Sequence, residues 1–545
     1  MPLQIFNEAL DDSPDKVEAD GFVGFDSTTE PTKIEAAIAR AGANVWMDVD
    51  LLLQTRPALK FNTLLTRAAL GGGSQQPRGM GYYDVPAREA VLVSGDAKLY
   101  EITGDGNNVT SNVLTPTPSA TVDAQFSQLV DRMFWSDGTL HWSMYSGGAW
   151  SHGTVTTFSD ASAMPTWGTI VSHGFRLMAL DPATGKIYAS AIGTANNAAD
   201  WVKTENIRVG TGEGDPPVAS ISGQAGNLIV LNERSAWSVD TSNATVANWT
   251  STKITGLTGC VERKTAVQAG QDVIFLSAFG VVSLARLADA ISINEATTLS
   301  APIQNYIDRI NPSGLSAAWA VMWENLYLLA LPLDAATVPN TLLAFHILTR
   351  KWMPPWDCTL PNLTVGATTI TFAGWVCGVA ANFASRQNTL ICDNTGRALR
   401  LAKTAVQDES AAATTQEITS WMTTKAWNHG LPENFKQPFS VQIEWFGSLA
   451  TNVQINLVRD GNATYPTKAL NACEIIASAI GTNAGNFFPI TFPITFLGNT
   501  SYVRPWTLRD FPRYRAAGIQ IVSQKSRMKL RAVRLTAFID APSLE

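Results

Sequence analysis

The sequence predicts an all-β protein: a β-propeller of six to seven blades, followed by a C-terminal β-sandwich and preceded by an irregular N-terminal arm. Three observations predict this fold class. Pairs of short apolar runs joined by tight polar turns recur along the chain. The starts of these pairs lie ~40–50 residues apart, as in propeller blades. The 545 residues include 40 Gly, 22 Phe and 17 Trp, which favours strands and turns over helices. An array of β-sandwiches is the alternative architecture.

Residues 1–87 are predicted to be an arm and a connection, because they lack the paired apolar runs. One short helix is expected from Pro31 to Arg40, since proline suits a first helical position and Gly42 suits the position after a helix. The glycine-rich stretch 71–77 is typical of a flexible connection. The arm therefore leads into the first blade without forming a domain of its own.

Residues 88–402 are predicted to form the propeller. The paired runs begin at Ala90, Leu129, Phe175, Asn227, Asp272, Trp319 and Trp375. Gly, Asn and Asp in the turns supply the positive φ that tight hairpins need. One blade cannot bury both faces of its sheet, so the blades must pack around a ring. A short amphipathic helix is expected after Ser300, with Ile303, Tyr306, Ile307 and Ile310 on its apolar face.

Residues 403–417 are rich in Ala, Thr, Gln and Glu, and this composition predicts a linker. Beyond them, short segments of alternating apolar and polar residues return. These segments predict an antiparallel β-sandwich at 418–545.

No motif in the sequence predicts catalysis, a cofactor or a metal. Ser136-Asp-Gly-Thr-Leu-His-Trp142 resembles the sialidase Asp-box, but its Ser, Asp and Gly are contiguous, so a hairpin turn explains it. The cluster Gly210–Pro217 lacks the Lys-Ser/Thr of a phosphate loop. Asp393–Arg397 and Arg459–Asn462 lack the further carboxylates of a calcium loop. The five cysteines are sparse and predict buried thiols. The prediction is that the chain is not an enzyme.

Charge is distributed unevenly along the chain. The net charge of -7 speaks against tight binding of duplex DNA. Residues 1–50 carry eleven acidic and three basic side chains, whereas residues 501–535 carry nine basic and one acidic. On a strand, Arg527, Lys529 and Arg531 would share one face, opposite Met528 and Leu530. This basic row is interpreted as a solvated face, a surface for an acidic segment or a DNA-facing surface. We expect the acidic arm to dock on the basic strand of its own chain or of a neighbour.

Four stretches of the chain carry a resemblance to known proteins: Ile34-EAAIARAGANVWMDVDLLLQTRPAL, Gly256-LTGCVERKTAVQAGQDVIFLSAFGVVSL, Trp319-AVMWENLYLLALPL with NTLLAFHILTRKWMP, and Ile418-TSWMTTKAWNHGLPENFKQPFSVQIEW. In this order along the chain they resemble the tail hub or nozzle proteins of short-tailed bacteriophages, also called packaged-DNA stabilisation proteins. In the first stretch Ala58 stands where the family usually has glycine. The resemblance covers most of residues 35–535.

The resemblance implies a structural subunit of a tail ring that retains packaged DNA and connects to distal tail parts. The implied partners are further copies in a hexameric ring, the adaptor and portal, tail fibre or spike proteins, and double-stranded DNA passing without sequence specificity. No small-molecule substrate is implied. The start of the chain has no signal-peptide pattern, and no run of about 18 apolar residues occurs. A place in the virion tail, after assembly in the host cytoplasm, is therefore expected.

The alternative function is a receptor- or carbohydrate-binding β-propeller of a virion or cell surface. Its binding aromatics would be Trp135, Trp142, Trp150 and Trp167, unless these residues pack between blades. A third hypothesis is a propeller glycoside hydrolase, which would need a pair of carboxylates about the scissile bond.

Overall fold

The computed structural model describes residues 15–47, 52–65, 76–103, 110–210, 214–223, 227–288, 298–365, 368–383, 386–403, 405, 407–411, 414–431, 433–446, 453–459, 501–507, 515–523 and 529–539. Strands dominate these ranges. The N-terminal part contains β1 (Asp15–Asp20), β2 (Gly24–Phe25), β3 (Ile38–Ala39), β4 (Ala41–Ala43), β5 (Val45–Met47), β6 (Leu53–Thr55) and β7 (Ala58–Leu64).

Within the described ranges, seven antiparallel sheets follow one another along the chain. The first holds β8 (Pro77–Val85), β9 (Arg88–Gly95), β10 (Lys98–Thr103) and β11 (Thr110–Leu114). The second holds β12 (Gln125–Leu129), β13 (Arg132–Ser136), β14 (Leu140–Ser146) and β15 (Ala149–Val155). The third holds β16 (Thr169–His173), β17 (Arg176–Asp181), β18 (Lys186–Ser190) and β19 (Trp201–Arg208). The fourth holds β20 (Pro217–Ser222), β21 (Asn227–Asn232), β22 (Ala236–Asp240) and β23 (Thr250–Thr255).

The fifth sheet has three strands: β24 (Val267–Ala269), β25 (Asp272–Ser277) and β26 (Gly280–Ser283). The sixth holds β27 (Trp319–Trp323), β28 (Leu326–Leu331), β29 (Thr341–His346) and β30 (Lys351–Trp352). A small hairpin, β31 (Leu363–Val365) and β32 (Thr368–Ile370), precedes the seventh sheet. That sheet holds β33 (Trp375–Phe383), β34 (Arg386–Asp393), β35 (Arg397–Ala402) and, at its outer edge, the N-terminal strand β7.

The first strand of each sheet lies against the first strand of the next, and β33 lies against β8. The seven sheets therefore close a ring around an axis, which is the arrangement of a β-propeller, and the predicted fold class is confirmed. Because β7 comes from before the first sheet, it joins the two ends of the propeller segment by backbone hydrogen bonds.

Small residues allow the inner strands to approach the axis closely. A Cβ atom on Gly79 would lie 2.0 Å from the carbonyl oxygen of Ala124, and one on Gly378 would lie 2.6 Å from the indole of Trp319. Both contacts join neighbouring sheets, so glycine is needed at both positions for the sheets to pack at this distance.

Polar side chains of β12 occupy the free edges of the inner strands on either side. Gln125 Oε1 accepts a hydrogen bond from the amide of Ile170, and Ser127 Oγ accepts one from the amide of Ser172. On the other side, Gln128 bonds both the amide and the carbonyl of Asp84. An inner strand is an edge strand, and its unpaired backbone groups need such partners when water is excluded. The first three sheets are therefore joined by hydrogen bonds as well as by apolar packing.

The C-terminal part contains β36 (Gln407–Ala411), β37 (Thr414–Glu417), β38 (Ser420–Thr423), β39 (Lys436–Phe446), β40 (Val453–Arg459), β41 (Ser501–Thr507), β42 (Ala517–Ser523) and β43 (Lys529–Ile539). Two sheets form here, one in the order β41-β39-β43-β6-β5 with β1 also on β43, the other in the order β4-β38-β42-β40. Both sheets contribute to one core, through buried residues such as Ile519, Ile521, Val533 and Leu535. N-terminal strands thus take part in both sheets.

The structure differs from the sequence predictions in three segments. The helix expected from Pro31 to Arg40 is wrong: the chain makes a turn, and Ile38–Ala39 then pairs with Gly24–Phe25. The N-terminal arm is more regular than expected, because its strands pair with C-terminal strands. The segment expected to be a linker contains the β36–β37 hairpin. The predicted strand beginning at Phe488 lies outside the described residues.

Short helical segments interrupt the strands. They are α1 (Leu284–Ala288), α2 (Gln304–Ile307) and 3-10 turns at Ala198–Asp200, Val246–Asn248, Arg263–Thr265, Ala301–Ile303 and Pro312–Ala317. The helix predicted after Ser300 is confirmed as a 3-10 turn that continues into one turn of α-helix, and Ile303 and Ile307 are buried as expected. No helix of the described residues is long and apolar enough to span a membrane.

A buried ion pair joins the N-terminal strands to β36. The guanidinium of Arg56 donates to both carboxylate oxygens of Asp408, at 3.0 and 2.5 Å, and both side chains are about 2–3% exposed. Arg56 also donates to Asn44 Oδ1 and to the carbonyl oxygen of Asp357, while Asp408 accepts from the amide of Leu59. The pair therefore fixes four segments that are distant in sequence.

The acidic arm docks on the basic strand of its own chain, as one form of the sequence hypothesis expects. β1 pairs with β43 in antiparallel register, with Glu18 directly opposite Arg534. Arg534 Nε donates to Glu18 Oε1 at 2.6 Å, and Lys16 lies 3.2 Å from the same carboxylate. Asp20 lies 3.6 Å from Arg531. Backbone pairing and opposite charge thus act together at this edge.

Acid is expected to weaken the pairing of β1 with β43. Burial acts to raise the pKa of the Glu18 carboxyl, hydrogen bonds from Arg534 and Lys16 lower it, and the net pKa lies below its ordinary value. The ionised carboxylate therefore stabilises the fold at pH values above its unfolded-state pKa of about 4.5. This stabilisation is lost as the pH falls through the lower pKa of the folded state. Hydrogen-exchange protection factors of residues 15–20 should therefore fall between pH 6 and pH 3.5.

Glu18→Gln is the matched variant for this measurement. It should show lower protection than the wild type at pH 6 and a smaller change on acidification. Equal protection of the two proteins at pH 6 would contradict a role for this carboxylate.

Candidate functional site in the axial channel

The inner strands surround a cavity of about 220 Å³ on the propeller axis. Residues from all seven sheets or from the segments leading into them line it. Small residues recur at these positions: Gly79, Ala124, Ala219, Ala266, Ala320 and Gly378. Because each inner strand is paired on one side only, part of its backbone amides and carbonyls faces the axis. The cavity has room for far more than one water molecule, which needs about 10–15 Å³.

A second, larger cavity of about 660 Å³ shares lining residues with the first. It is lined by residues at or before the inner strands of the first, second, fifth, sixth and seventh sheets and by the loop between β28 and β29. Five charged residues stand here: Arg78, Asp123, Glu262, Arg263 and Lys264. We call these five residues the channel neck. Arg78, Arg263 and Lys264 line both cavities, and Asp123 and Glu262 line the larger cavity beside them. A ligand entering the inner cavity from this side would pass between them.

The turn that carries Glu262, Arg263 and Lys264 is firmly held. The Glu262 side chain caps the 3-10 turn by accepting from the amide of Lys264 at 3.2 Å. Fully buried Thr265 follows, and its hydroxyl donates to the carbonyl oxygen of Glu262 at 2.7 Å. Tyr327 Oη donates to the carbonyl oxygen of Thr265 at 2.8 Å. The three side chains at the neck are therefore placed by a rigid backbone.

The cations at the neck exceed the carboxylates, by three to two. Lys264 Nζ lies 2.5 Å from Asp123 Oδ2, whereas Arg78 lies 3.8 Å from the other oxygen of that carboxylate. Arg263 donates to the carbonyl oxygens of Gly168 and Asp123. Burial lowers the pKa of the Arg263 guanidinium, although nearby Glu262 and Asp123 act in the other direction. The neck therefore holds cationic groups that are only partly matched by anions.

Two hydroxyls and one guanidinium nitrogen among the lining residues are buried without a partner. Thr169 Oγ1, Ser220 Oγ and Arg78 Nε make no hydrogen bond with any described residue. Thr169 and Ser220 are 3% and 7% exposed. A buried hydroxyl without a partner costs about 1–3 kcal/mol, so such groups call for an explanation. A polar ligand in the cavity could satisfy them after small side-chain rotations.

Burial also raises the pKa of the Glu262 carboxyl, although Lys264 and Arg263 act to lower it. A raised pKa means that this carboxyl takes up a proton more readily than an exposed one. Protonation of Glu262 would increase the positive charge of the neck.

The residues that the sequence singled out lie elsewhere. Lys529 and Arg531 are on β43, where Lys529 pairs with Gln54 of β6 and Arg531 is half exposed, near Asp20. Arg527 lies outside the described residues, so the predicted basic row is described only in part. Leu530 is fully buried and Arg531 is half exposed, so these two neighbours lie on opposite faces of the strand. The structure does not bring these residues to the axial channel.

The four tryptophans of the binding hypothesis pack within and between sheets. Trp135 and Trp167 are buried, and the ring of Trp135 stacks on His141 with centroids 4.0 Å apart. Trp150 packs against Tyr83 and Tyr145, and Trp142 joins the core of the second and third sheets. Trp135 and Trp167 are therefore not exposed binding aromatics, whereas Trp142 and Trp150 are half-buried.

Other motifs have the structures that turn chemistry predicts. Ser136–Gly138 forms a turn in which Ser136 Oγ accepts from the amide of Gly138, whose φ is +102°. Asp393 accepts from the amide and hydroxyl of Thr395 and pairs with buried Arg397. In the described part of the chain, no three His, Cys, Asp or Glu side chains are grouped as metal ligands.

The predicted buried thiols are confirmed for four cysteines: Cys260, Cys358, Cys377 and Cys392. Cys473 lies outside the described residues.

Comparisons with known proteins gave distant structural similarities only. No family model and no curated protein sequence matches the chain. PorZ, a surface component of the type-IX secretion system of Porphyromonas gingivalis, is 10% identical with a TM-score of 0.35; the match covers 70% of this chain and 44% of PorZ. YCF48 from Cyanidioschyzon merolae is 11% identical with a TM-score of 0.37, over 63% of this chain and 99% of YCF48.

The extracellular domain of the one component system BT4673 from B. thetaiotaomicron is 11% identical with a TM-score of 0.38. That match covers 78% of this chain and 55% of the other. The chain therefore spans about half of the length of PorZ and of the BT4673 domain. Its propeller architecture is established by its own strand pairing, and its ligand has to be argued from its own residues.

Proposed function

We propose that the chain is a non-catalytic β-propeller of a virion or cell surface that binds a carbohydrate in its axial cavity. The observation that carries this proposal is the presence of two buried hydroxyls without partners, on Thr169 and Ser220, beside a cavity open to the neck. Native proteins rarely leave such groups unpaired. The sites of small ligands are concave and largely preformed, with few polar groups that fix orientation.

The chemistry of the cavity suits a sugar. A threonine or serine hydroxyl both donates and accepts, as sugar hydroxyls do. The edge-strand backbone supplies further amides and carbonyls, and Phe126 is an apolar residue of the lining. An aliphatic ligand would leave these polar groups unsatisfied, so a polyhydroxylated one fits better.

Removing the hydroxyls should weaken carbohydrate binding. Thr169→Val and Ser220→Ala keep the volume nearly constant, and each should weaken binding about 3–10-fold, the value of one hydrogen bond. Ala320→Leu narrows the cavity and should weaken binding further. The measurement is a glycan array with the full chain, followed by calorimetric titration of the bound sugars.

Ser151→Ala is the matched control, because its hydroxyl is exposed on β15, the outermost strand of its sheet. It should bind as the wild type does. Unchanged affinity in all three cavity variants, or no glycan bound at all, would overturn the proposal.

A structural role in a bacteriophage tail ring is the second proposal. It is supported by the sequence resemblance to tail hub proteins and by the half-exposed basic side chain of Arg531 on β43. Native mass spectrometry should then find a closed ring, with six copies expected. Arg531→Glu together with Lys529→Glu should shift the ring towards monomer at low salt. A monomer at all concentrations would contradict this role.

A further inference from the structure

The channel neck is asymmetric in charge, and this bears on which carbohydrate would fit. Arg78, Arg263 and Lys264 line the larger cavity and the inner cavity alike. Asp123 and Glu262 line only the larger cavity. The boundary of the inner cavity is therefore cationic, while the carboxylates stand on the outer side.

The two arginines of the neck can still donate hydrogen bonds to a ligand. Arg78 Nε is buried without a partner, and its ion pair with Asp123 is long, at 3.8 Å. Arg263 gives its hydrogen bonds to carbonyl oxygens, which carry no net charge. A guanidinium binds a carboxylate best, since two parallel N–H groups meet two oxygens. Arg78 has only the long contact with Asp123, and the hydrogen bonds given for Arg263 go to carbonyl oxygens, so neither arginine makes a paired contact with a carboxylate among the described residues.

The carboxylates of the neck are already engaged with other groups. Asp123 contacts Lys264 at 2.5 Å, and Glu262 caps the 3-10 turn through the amide of Lys264. Neither arrangement cancels the charge on both arginines. An anion from outside would therefore meet two cations in a partly buried setting, where electrostatic attraction exceeds that in water.

We infer that the axial cavity takes an acidic carbohydrate, whose carboxylate lies between Arg78, Arg263 and Lys264 while its hydroxyls meet Thr169 and Ser220. This inference rests on the proposed carbohydrate-binding function and adds the class of sugar. The cavity sizes indicate how an oligosaccharide would lie: its terminal sugar acid would fill the inner cavity of 220 Å³, and the adjoining sugars would occupy the larger cavity of 660 Å³.

The experiment compares each sugar acid with its own methyl ester, which removes the charge and keeps the skeleton. An array should carry uronic and sialic acid oligosaccharides, their methyl esters and neutral oligosaccharides. We expect at least one acid to bind about 10-fold more tightly than its ester, with the difference shrinking in 0.5 M salt because screening weakens charge interactions.

Variants of the neck should reduce the preference for the acid. Arg78→Gln and Lys264→Gln should each lower the acid-to-ester ratio about 3–10-fold, with little change in binding of the ester. Lys203→Gln is the control, since it removes the same charge from the exposed face of β19, an outermost strand. Arg263 also donates to the backbone carbonyls of two segments, so a neutral residue at this position could disturb the fold. Arg263→Lys, which keeps the charge, is therefore used instead.

The outcomes separate the inference from the function on which it rests. Binding of neutral sugars or esters as tightly as acids would overturn the acidic preference and leave carbohydrate binding standing. Absence of all glycan binding would overturn both. Inorganic phosphate is the probe for a simple anion site: if phosphate binds at the neck and no sugar acid does, the inference is wrong.

Discussion

Replacing Arg56 with methionine is expected to lower the free energy of unfolding by about 3–5 kcal/mol, because it leaves the charge of Asp408 buried and unpaired. The same change removes hydrogen bonds to Asn44 and to the backbone at Asp357. The melting temperature should fall by about 3–4 °C in a thermal unfolding curve, because the unfolding entropy of a 545-residue chain is roughly 1.1 kcal/mol/K.

Two further variants test the cause. Arg56→Met combined with Asp408→Leu removes both charges and should recover more than half of the loss, since a buried pair can often be replaced by apolar residues. Arg309→Met breaks an ion pair with Asp334 whose side chains are 48% and 59% exposed, and should lower the melting temperature far less than Arg56→Met does. If Arg56→Met and Arg309→Met melt alike, the buried pair does not stabilise the fold as argued.

Gly79→Ala is expected to have the next largest effect. Its Cβ atom would lie 2.0 Å from the carbonyl oxygen of Ala124, so the first and second sheets would have to move apart. Overpacking of this kind costs about 1–3 kcal/mol or more. Because the contact lies beside the axial cavity, the change should also weaken ligand binding in the calorimetric titration.

Gly256→Ala is the control, since its new Cβ atom would meet only the end of the flexible Lys253 side chain, at 3.0 Å. Its free energy of unfolding should lie within about 1 kcal/mol of the wild-type value. A melting temperature of Gly79→Ala equal to that of Gly256→Ala would show that the sheets can relax at no cost.

The local part of the fold could be predicted from the sequence. Hairpins such as β13–β14 and β17–β18 have both strands and their turn within a few residues, so their apolar runs and turn residues identify them. Pairing between distant segments leaves no such signal. The sequence of β7 does not indicate that it completes the sheet of β35, more than 300 residues later.

Misplaced elements have the same cause. Pro31 and Gly42 satisfy the rules for helix ends, yet tertiary pairing of Ile38–Ala39 with Gly24–Phe25 prevails over these local preferences. The composition of 403–417 suggests a linker, although Asp408 within it is the buried partner of Arg56.

The candidate site was not predicted because no single segment contains it. Arg78 lies in the first sheet, whereas Asp123 and Arg263 lie in the segments that lead into the second and fifth sheets. Each looks like an ordinary surface residue in sequence. Small residues just inside each inner strand, such as Gly79 and Gly378, were the available signal. They become informative only when the strands are aligned as members of one ring.

Two N-terminal strands, β7 and β1, can pair only after distant C-terminal strands have been synthesised. Ala58 pairs with Ala402, so β7 must wait for 344 further residues, which take roughly 20–70 s at a ribosome adding about 5–20 residues per second. Asp15 waits still longer, for Ala537. During this interval the early strands have exposed edges that can pair with other chains. The nascent protein should therefore need protection by chaperones until β43 has left the ribosome.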